Sequence, residues 1–124
     1  MATKILVVDD EITKLTPLVD ALAKEGYEVD GVEDGITALN KIEKTKYDIV
    51  ITDIRLPELD GIELLKRIRE ISKETEVIVI TAYTSIDSAV SAMKAGAYDY
   101  ISKPFSIEDI LGKVKEISNK KITI

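Results

Sequence analysis

Apolar residues along this chain follow two alternating rhythms. Short unbroken apolar runs come first: Ile5-Leu6-Val7-Val8, then Ile49-Val50-Ile51, then Val77-Ile78-Val79-Ile80. Each is too short for a helix and too apolar for a half-exposed strand, which predicts strands buried on both faces. Tyr27 and Val29 alternate with Glu28 and Asp30, and Tyr98, Tyr100 and Ile101 mark a further run. These two read as strands with one wetter side. Between the strand signals the spacing changes to three and four. Leu15, Leu18, Val19 and Leu22 form one such stripe; Ala38, Leu39 and Ile42 a second; Leu64, Leu65, Ile68 and Ile71 a third. Ile86, Ala89, Val90 and Met93 form a fourth, and Ile107, Ile110, Leu111, Val114 and Ile117 a fifth. These are helical stripes.

Local signals mark the ends. Gly26 and Gly96 stand where the first and fourth helices should stop, and Asp34 is placed to cap the second. Ser106 and Asp109 have the spacing of a capping box, with Phe105 and Ile110 at the spacing of a hydrophobic staple. Pro17 conflicts with its surroundings, because it removes a backbone donor inside the first helix. Either that helix kinks, or Thr16 caps a late start after a separate turn over 11–16. Five strand-helix units predict an α/β domain, a flavodoxin-like doubly wound sheet of five parallel strands. The continuously apolar first, third and fourth strands belong at its centre and the alternating second and fifth at its edges. That arrangement is the order 2-1-3-4-5 with five helices, in a single domain over 1–124.

Composition narrows the chemistry. The 124 residues include no histidine and no cysteine, which excludes imidazole bases, thiolate nucleophiles, disulfides and His or Cys zinc sites. The 23 acids against 17 bases give a net charge of −6. That balance argues against a broad nucleic-acid surface. The lysines from Lys113 to Lys121 read as an ordinary solvated helix end. No apolar run approaches the roughly 18 residues of a membrane span, nor the core of an export signal. The cytoplasm is the expected location.

In a sheet of this kind, ligands gather beyond the carboxyl ends of the strands. The first strand ends in Asp9, Asp10 and Glu11, the third in Thr52 and Asp53, and the fourth in Thr81; Lys103 follows the fifth. Each has a bland explanation as a cap, turn or surface residue. Their convergence on one edge does not. Two carboxylates about 4 Å apart repel by about 4 kcal/mol at an effective dielectric of 20. A hard divalent cation relieves that repulsion, and Mg²⁺ suits a site of few carboxylates, waters and a phosphate. With a lysine and a hydroxyl, these are the parts for phosphoryl transfer to a carboxylate.

At this point the chain resembles the receiver domains of two-component response regulators. The resemblance rests on Val7-Val8-Asp9-Asp10-Glu11, on Thr52-Asp53-Ile54-Arg55-Leu56-Pro57 with Asp60-Gly61, on Thr81-Ala82 and on Lys103-Pro104-Phe105. The segment from Thr81 to Phe105 is most similar to NtrC-like receivers. The resemblance implies that Asp53 accepts a phosphoryl group from a sensor histidine kinase or phosphotransfer protein. It implies Mg²⁺ held by Asp10, Asp53 and the backbone carbonyl of Arg55, with Asp9 acting through water. It implies that Lys103 pairs the phosphoryl group across a cis bond to Pro104 and that Thr81 and Tyr100 form a switch pair. Arg55 and Tyr83 fall at positions that tune dephosphorylation. Kinase contacts near Ile12, Lys14 and the Pro104-Phe105 loop, and a homodimer through the fourth helix, fifth strand and fifth helix, are implied too. A haloacid-dehalogenase-type hydrolase would want Asp-x-Asp at the first strand end, where Asp9 and Asp10 are adjacent. An inert module that merely keeps the fold would not need the full set of site residues.

Overall fold

The computed structural model describes residues 3–56, 58–82 and 86–122, with the side chains of Ile86, Lys121 and Ile122 left aside. The elements alternate throughout: β1 (Lys4–Val8), α1 (Ile12–Lys24), β2 (Glu28–Val32), α2 (Gly35–Lys44), β3 (Ile49–Asp53), α3 (Gly61–Ile71), β4 (Glu76–Thr81), α4 (Ile86–Lys94), β5 (Asp99–Ser102) and α5 (Ile107–Ile122). All strand pairs are parallel, in the order β2-β1-β3-β4-β5. The unbroken apolar runs are the three central strands; β3 is buried at every position, whereas β2 and β5 are largely exposed or half-buried.

Strand alternation divides the core into two layers. Leu6, Val8, Val50, Val77 and Val79 point toward α2, α3 and α4, where they meet Ala38, Ile42, Leu64, Leu65 and Ile68. Ile5, Val7, Ile49, Ile51, Ile78 and Ile80 point the other way, toward Leu15, Leu18 and Leu22 of α1 and Ile110, Val114 and Ile117 of α5. Half-buried Phe105 packs on this second layer with Ile110, where the staple spacing puts it.

The ends match their signals. Asp34 Oδ1 accepts from the Thr37 N–H at 2.7 Å, and the Asp109 N–H donates to Ser106 Oγ at 3.1 Å. Gly96, at φ +103°, closes α4 with paired bonds from Gly96 N–H to the Met93 carbonyl and from Ala97 N–H to the Ala92 carbonyl. That is the Schellman arrangement, which needs the left-handed residue glycine supplies.

Two details go beyond what the sequence settles. Helix α1 runs from Ile12 through Pro17 without a late start at Thr16. Pro17 is exposed, so the Thr13 carbonyl left without its donor faces a region that water reaches. In α4 the apolar stripe is not the buried face: Val90 and Met93 are 43% and 48% exposed, while Ala92 is fully buried. A small residue lets α4 approach the sheet closely, and the larger side chains are left on its outer side.

Candidate functional site

Three loops and one strand end meet beyond the carboxyl edge of β1, β3, β4 and β5. Two of the acids are held by their own backbone. Asp9 Oδ1 accepts from the Glu11 N–H at 2.9 Å, and Asp53 Oδ1 accepts from the Arg55 N–H at 3.2 Å. Both are carboxylate-to-second-residue turns, which fix a short side chain immediately after a strand. Lys103 is carried in by β5, whose ladder to β4 is continued by the Lys103 N–H donating to the Thr81 carbonyl at 2.9 Å.

The Lys103 ammonium is the hub. It lies 2.6 Å from Asp53 Oδ2, 3.5 Å from Asp9 Oδ2 and 3.7 Å from Glu11 Oε1, and its side chain is only 7% exposed. Its peptide bond to Pro104 is cis. Burial alone would lower the lysine's pKa. The hydrogen bond and charge of Asp53, with the charges of Asp9 and Glu11, outweigh that and raise it. Burial raises the Asp9 pKa, and the nearby Asp53 charge adds to this, against the opposing Glu11 N–H and Lys103. Burial, then the charge of Asp53, also raises that of Tyr100.

Carboxylate oxygens of Asp9, Asp10 and Asp53 lie within 4.8 Å of one another. Asp9 and Asp53 are buried and Asp10 is exposed at the rim. One ammonium cannot neutralise three clustered carboxylates. The all-oxygen donor set therefore fits a hard divalent cation, with Asp10 open to it and Asp9 already engaged by Lys103 and a backbone donor. An open cavity of about 290 Å³ leads to this point, lined by Asp10, Asp53, Arg55, Thr81 and Lys103 and, at its outer side, by Glu11 and Lys14. Thr81 is 1% exposed at the end of β4. Tyr100, half-buried on β5, packs on the layer beneath α2, α3 and α4.

The structure thus brings together Asp9, Asp10, Asp53, Thr81, Arg55 and Lys103. Tyr100 stands one layer away, and Tyr83 lies outside the described residues, as does Pro57. Two contributors are not evident from the sequence. Glu11 is visible at the strand end, but its reach to Lys103 is not. Gly61 is visible only as part of a motif. A Cβ on Gly61 would fall onto the Asp53 carbonyl oxygen and within 2.8 Å of the Ile54 Cα. The Gly61 N–H donates to the Ile54 carbonyl at 2.7 Å, so α3 begins pressed against the chain that carries Asp53.

The sequence model for the response regulator receiver domain matches residues 5–115. The chain belongs to this family. Receivers are signalling domains of two-component systems rather than enzymes in the ordinary sense. The receiver is 43% identical over 106 residues to the transcriptional regulatory protein ZraR of Klebsiella oxytoca, covering 86% of this chain and 24% of that protein. It spans between about a quarter and about a half of the length of the curated relatives it matches. Among solved structures, a CheY-like receiver domain protein from Methanospirillum hungatei superposes with a TM-score of 0.93 at 34% identity, covering 98% of both chains. The beryllofluoride-activated NtrC4 receiver domain dimer superposes at 0.89 with 37% identity, covering 94% of this chain and 97% of that one. ZraR and NtrC4 together support the NtrC-like likeness of this receiver. Among the described residues no helix is long and apolar enough to cross a membrane.

Proposed function

We propose that this receiver, a single domain over 1–124, takes a phosphoryl group onto Asp53 from a phosphohistidine of a sensor kinase or phosphotransfer protein. The observation that carries this reading is the buried Asp53 carboxylate, 2.6 Å from Lys103 and clustered with two further acids at a strand end. An Asp53 oxygen forms the new bond to phosphorus as the phosphorus–nitrogen bond of the donor breaks, and the imidazole departs with the electron pair. Lys103 moves from the carboxylate to a phosphoryl oxygen, a small shift for a group already at the reacting atoms. Thr81, which also lines the cavity, offers a hydroxyl. Mg²⁺, held by Asp10, Asp53 and the Arg55 carbonyl with Asp9 behind water, would supply positive charge to the oxygens on which negative charge builds. Arg55 and Tyr83 govern water access and so the phosphoryl lifetime.

The added phosphate biases a two-state element made of Thr81, the loop after it, α4 and Tyr100. That switch controls an output domain or partner. The exposed Val90 and Met93 on α4 support a homodimer through α4, β5 and α5. The site catalyses only its own phosphorylation and dephosphorylation. We place it in the cytoplasm with no direct nucleic-acid contact. Asp53→Asn tests the assignment: with acetyl phosphate and Mg²⁺ the wild-type chain acquires a hydroxylamine-labile phosphoryl group and the variant acquires none. Labelling that survives in the variant would move the acceptor elsewhere.

A further inference from the structure

Four carboxylates surround the path to the acceptor, Asp9, Asp10, Asp53 and Glu11, against the single buried ammonium of Lys103. With a divalent cation in place, and with the exposed Arg55 that also lines the cavity counted, this group is about neutral overall. A phosphoryl donor such as acetyl phosphate carries two negative charges. The site that must receive the donor therefore offers it no net attraction, unless a further positive charge stands on the approach. Lys14 stands there. It projects from the first turn of α1, lines the outer side of the same cavity, and its ammonium lies 3.4 Å from Glu11 Oε1. That same oxygen lies 3.7 Å from Lys103 Nζ. Signs therefore alternate from the interior outward: Asp53, Lys103, Glu11, Lys14. At 47% side-chain exposure, the Lys14 head stays in contact with solvent, where an arriving anion meets it.

We propose that Lys14, tethered by Glu11 at the mouth of the cavity, is a donor-specificity residue that draws dianionic phosphoryl groups toward Asp53. This rests on the reading of Asp53 as the acceptor. In the step it serves, an Asp53 oxygen bonds to phosphorus, the bond from phosphorus to the acetyl oxygen breaks, and acetate leaves with the electron pair, so no proton is required. Lys14 does not take part in bond making. It raises the local concentration of the anion, an effect that acts through space and is weakened by salt.

The test compares wild type with Lys14→Gln and Lys14→Arg at saturating Mg²⁺, following labelling by acetyl phosphate. At an ionic strength of about 0.1 M, which accommodates saturating Mg²⁺ and where the screening length is about 10 Å, Lys14→Gln should be about three- to tenfold slower. Near 1 M, where that length is about 3 Å, the gap should close to within about twofold. Lys14→Arg should keep the wild-type rate. Phosphoramidate, which carries mainly one negative charge near neutral pH, should be slowed less than acetyl phosphate. Titration of Mg²⁺ by calorimetry supplies the opposite sign: losing a positive charge should tighten the cation by a few-fold. Equal rates at the lower ionic strength, a loss that salt does not relieve, or weakened Mg²⁺ binding would each overturn the proposal. Absence of labelling in the wild type would instead overturn the assignment of Asp53.

Discussion

Asp9 and Asp10 are neighbours in sequence with different surroundings. Asp9 is buried and occupied by Lys103 and the Glu11 N–H, whereas Asp10 is exposed toward the cavity. Asp10→Asn should therefore abolish the response to Mg²⁺ without lowering the metal-free melting temperature, since it removes one of three crowded charges. With a Kd of about 1 mM, 10 mM Mg²⁺ would stabilise the wild type by roughly 1.4 kcal/mol, about 5 °C in Tm. Scanning calorimetry with and without the metal checks this; a full Mg²⁺ shift in the variant would reassign the ligand. Asp9 makes a pH prediction for the metal-free chain. Its folded pKa is raised from 3.8, chiefly by burial, so the fold holds that proton more tightly than the unfolded chain does. Below 3.8 the group contributes nothing to the difference; as pH rises through the raised value, its ionisation subtracts stability. Asp9→Asn should flatten that part of the stability–pH curve in EDTA, and an unchanged slope would place its origin in another group.

Elements were legible wherever periodicity and caps agreed. The central strands, the cap at Asp34 and the glycine stops at Gly26 and Gly96 needed only local rules. The outward-facing stripe of α4 was not legible, because amphipathicity names an apolar face without naming what covers it. Nor was the role of Gly61, since its constraint comes from the chain eight residues earlier rather than from its own helix. The site was legible as a set of residue types at strand ends. The contact from Glu11 to Lys103 was not, because it depends on where a flexible side chain settles. Two glycine substitutions should separate these situations. Gly61→Ala forces a Cβ against the backbone of Asp53 and Ile54 and should cost about 1–3 kcal/mol or more, while also slowing phosphorylation by acetyl phosphate. Gly112 lies exposed in α5, and a Cβ added there would meet nothing within 4 Å. Gly112→Ala should therefore stabilise by about 0.5–1 kcal/mol and leave phosphorylation unchanged. Urea unfolding beside a labelling assay distinguishes them.

Across the whole molecule, the sheet separates two apolar layers, one under α2, α3 and α4 and one under α1 and α5. Ile68 and Ile110 are both fully buried, in opposite layers. Ile68→Val and Ile110→Val should each cost about 0.5–1.5 kcal/mol. Their effects should add within about 0.5 kcal/mol, because the residues share no partner. Urea unfolding followed by circular dichroism should stay a single transition in the double variant, as befits one small domain. A split transition would show that the layers unfold separately. The β1–β3 register has a consequence of another kind. Val8 lies beside Thr52, and one step further on each strand come Asp9 and Asp53. Neighbouring strands lie about 4.8 Å apart because backbone hydrogen bonding sets that distance. The sheet thus serves as a ruler for the acids. Interior side chains can be exchanged for others of similar bulk without altering the gap a cation must bridge, which leaves packing and ion recognition free to vary independently.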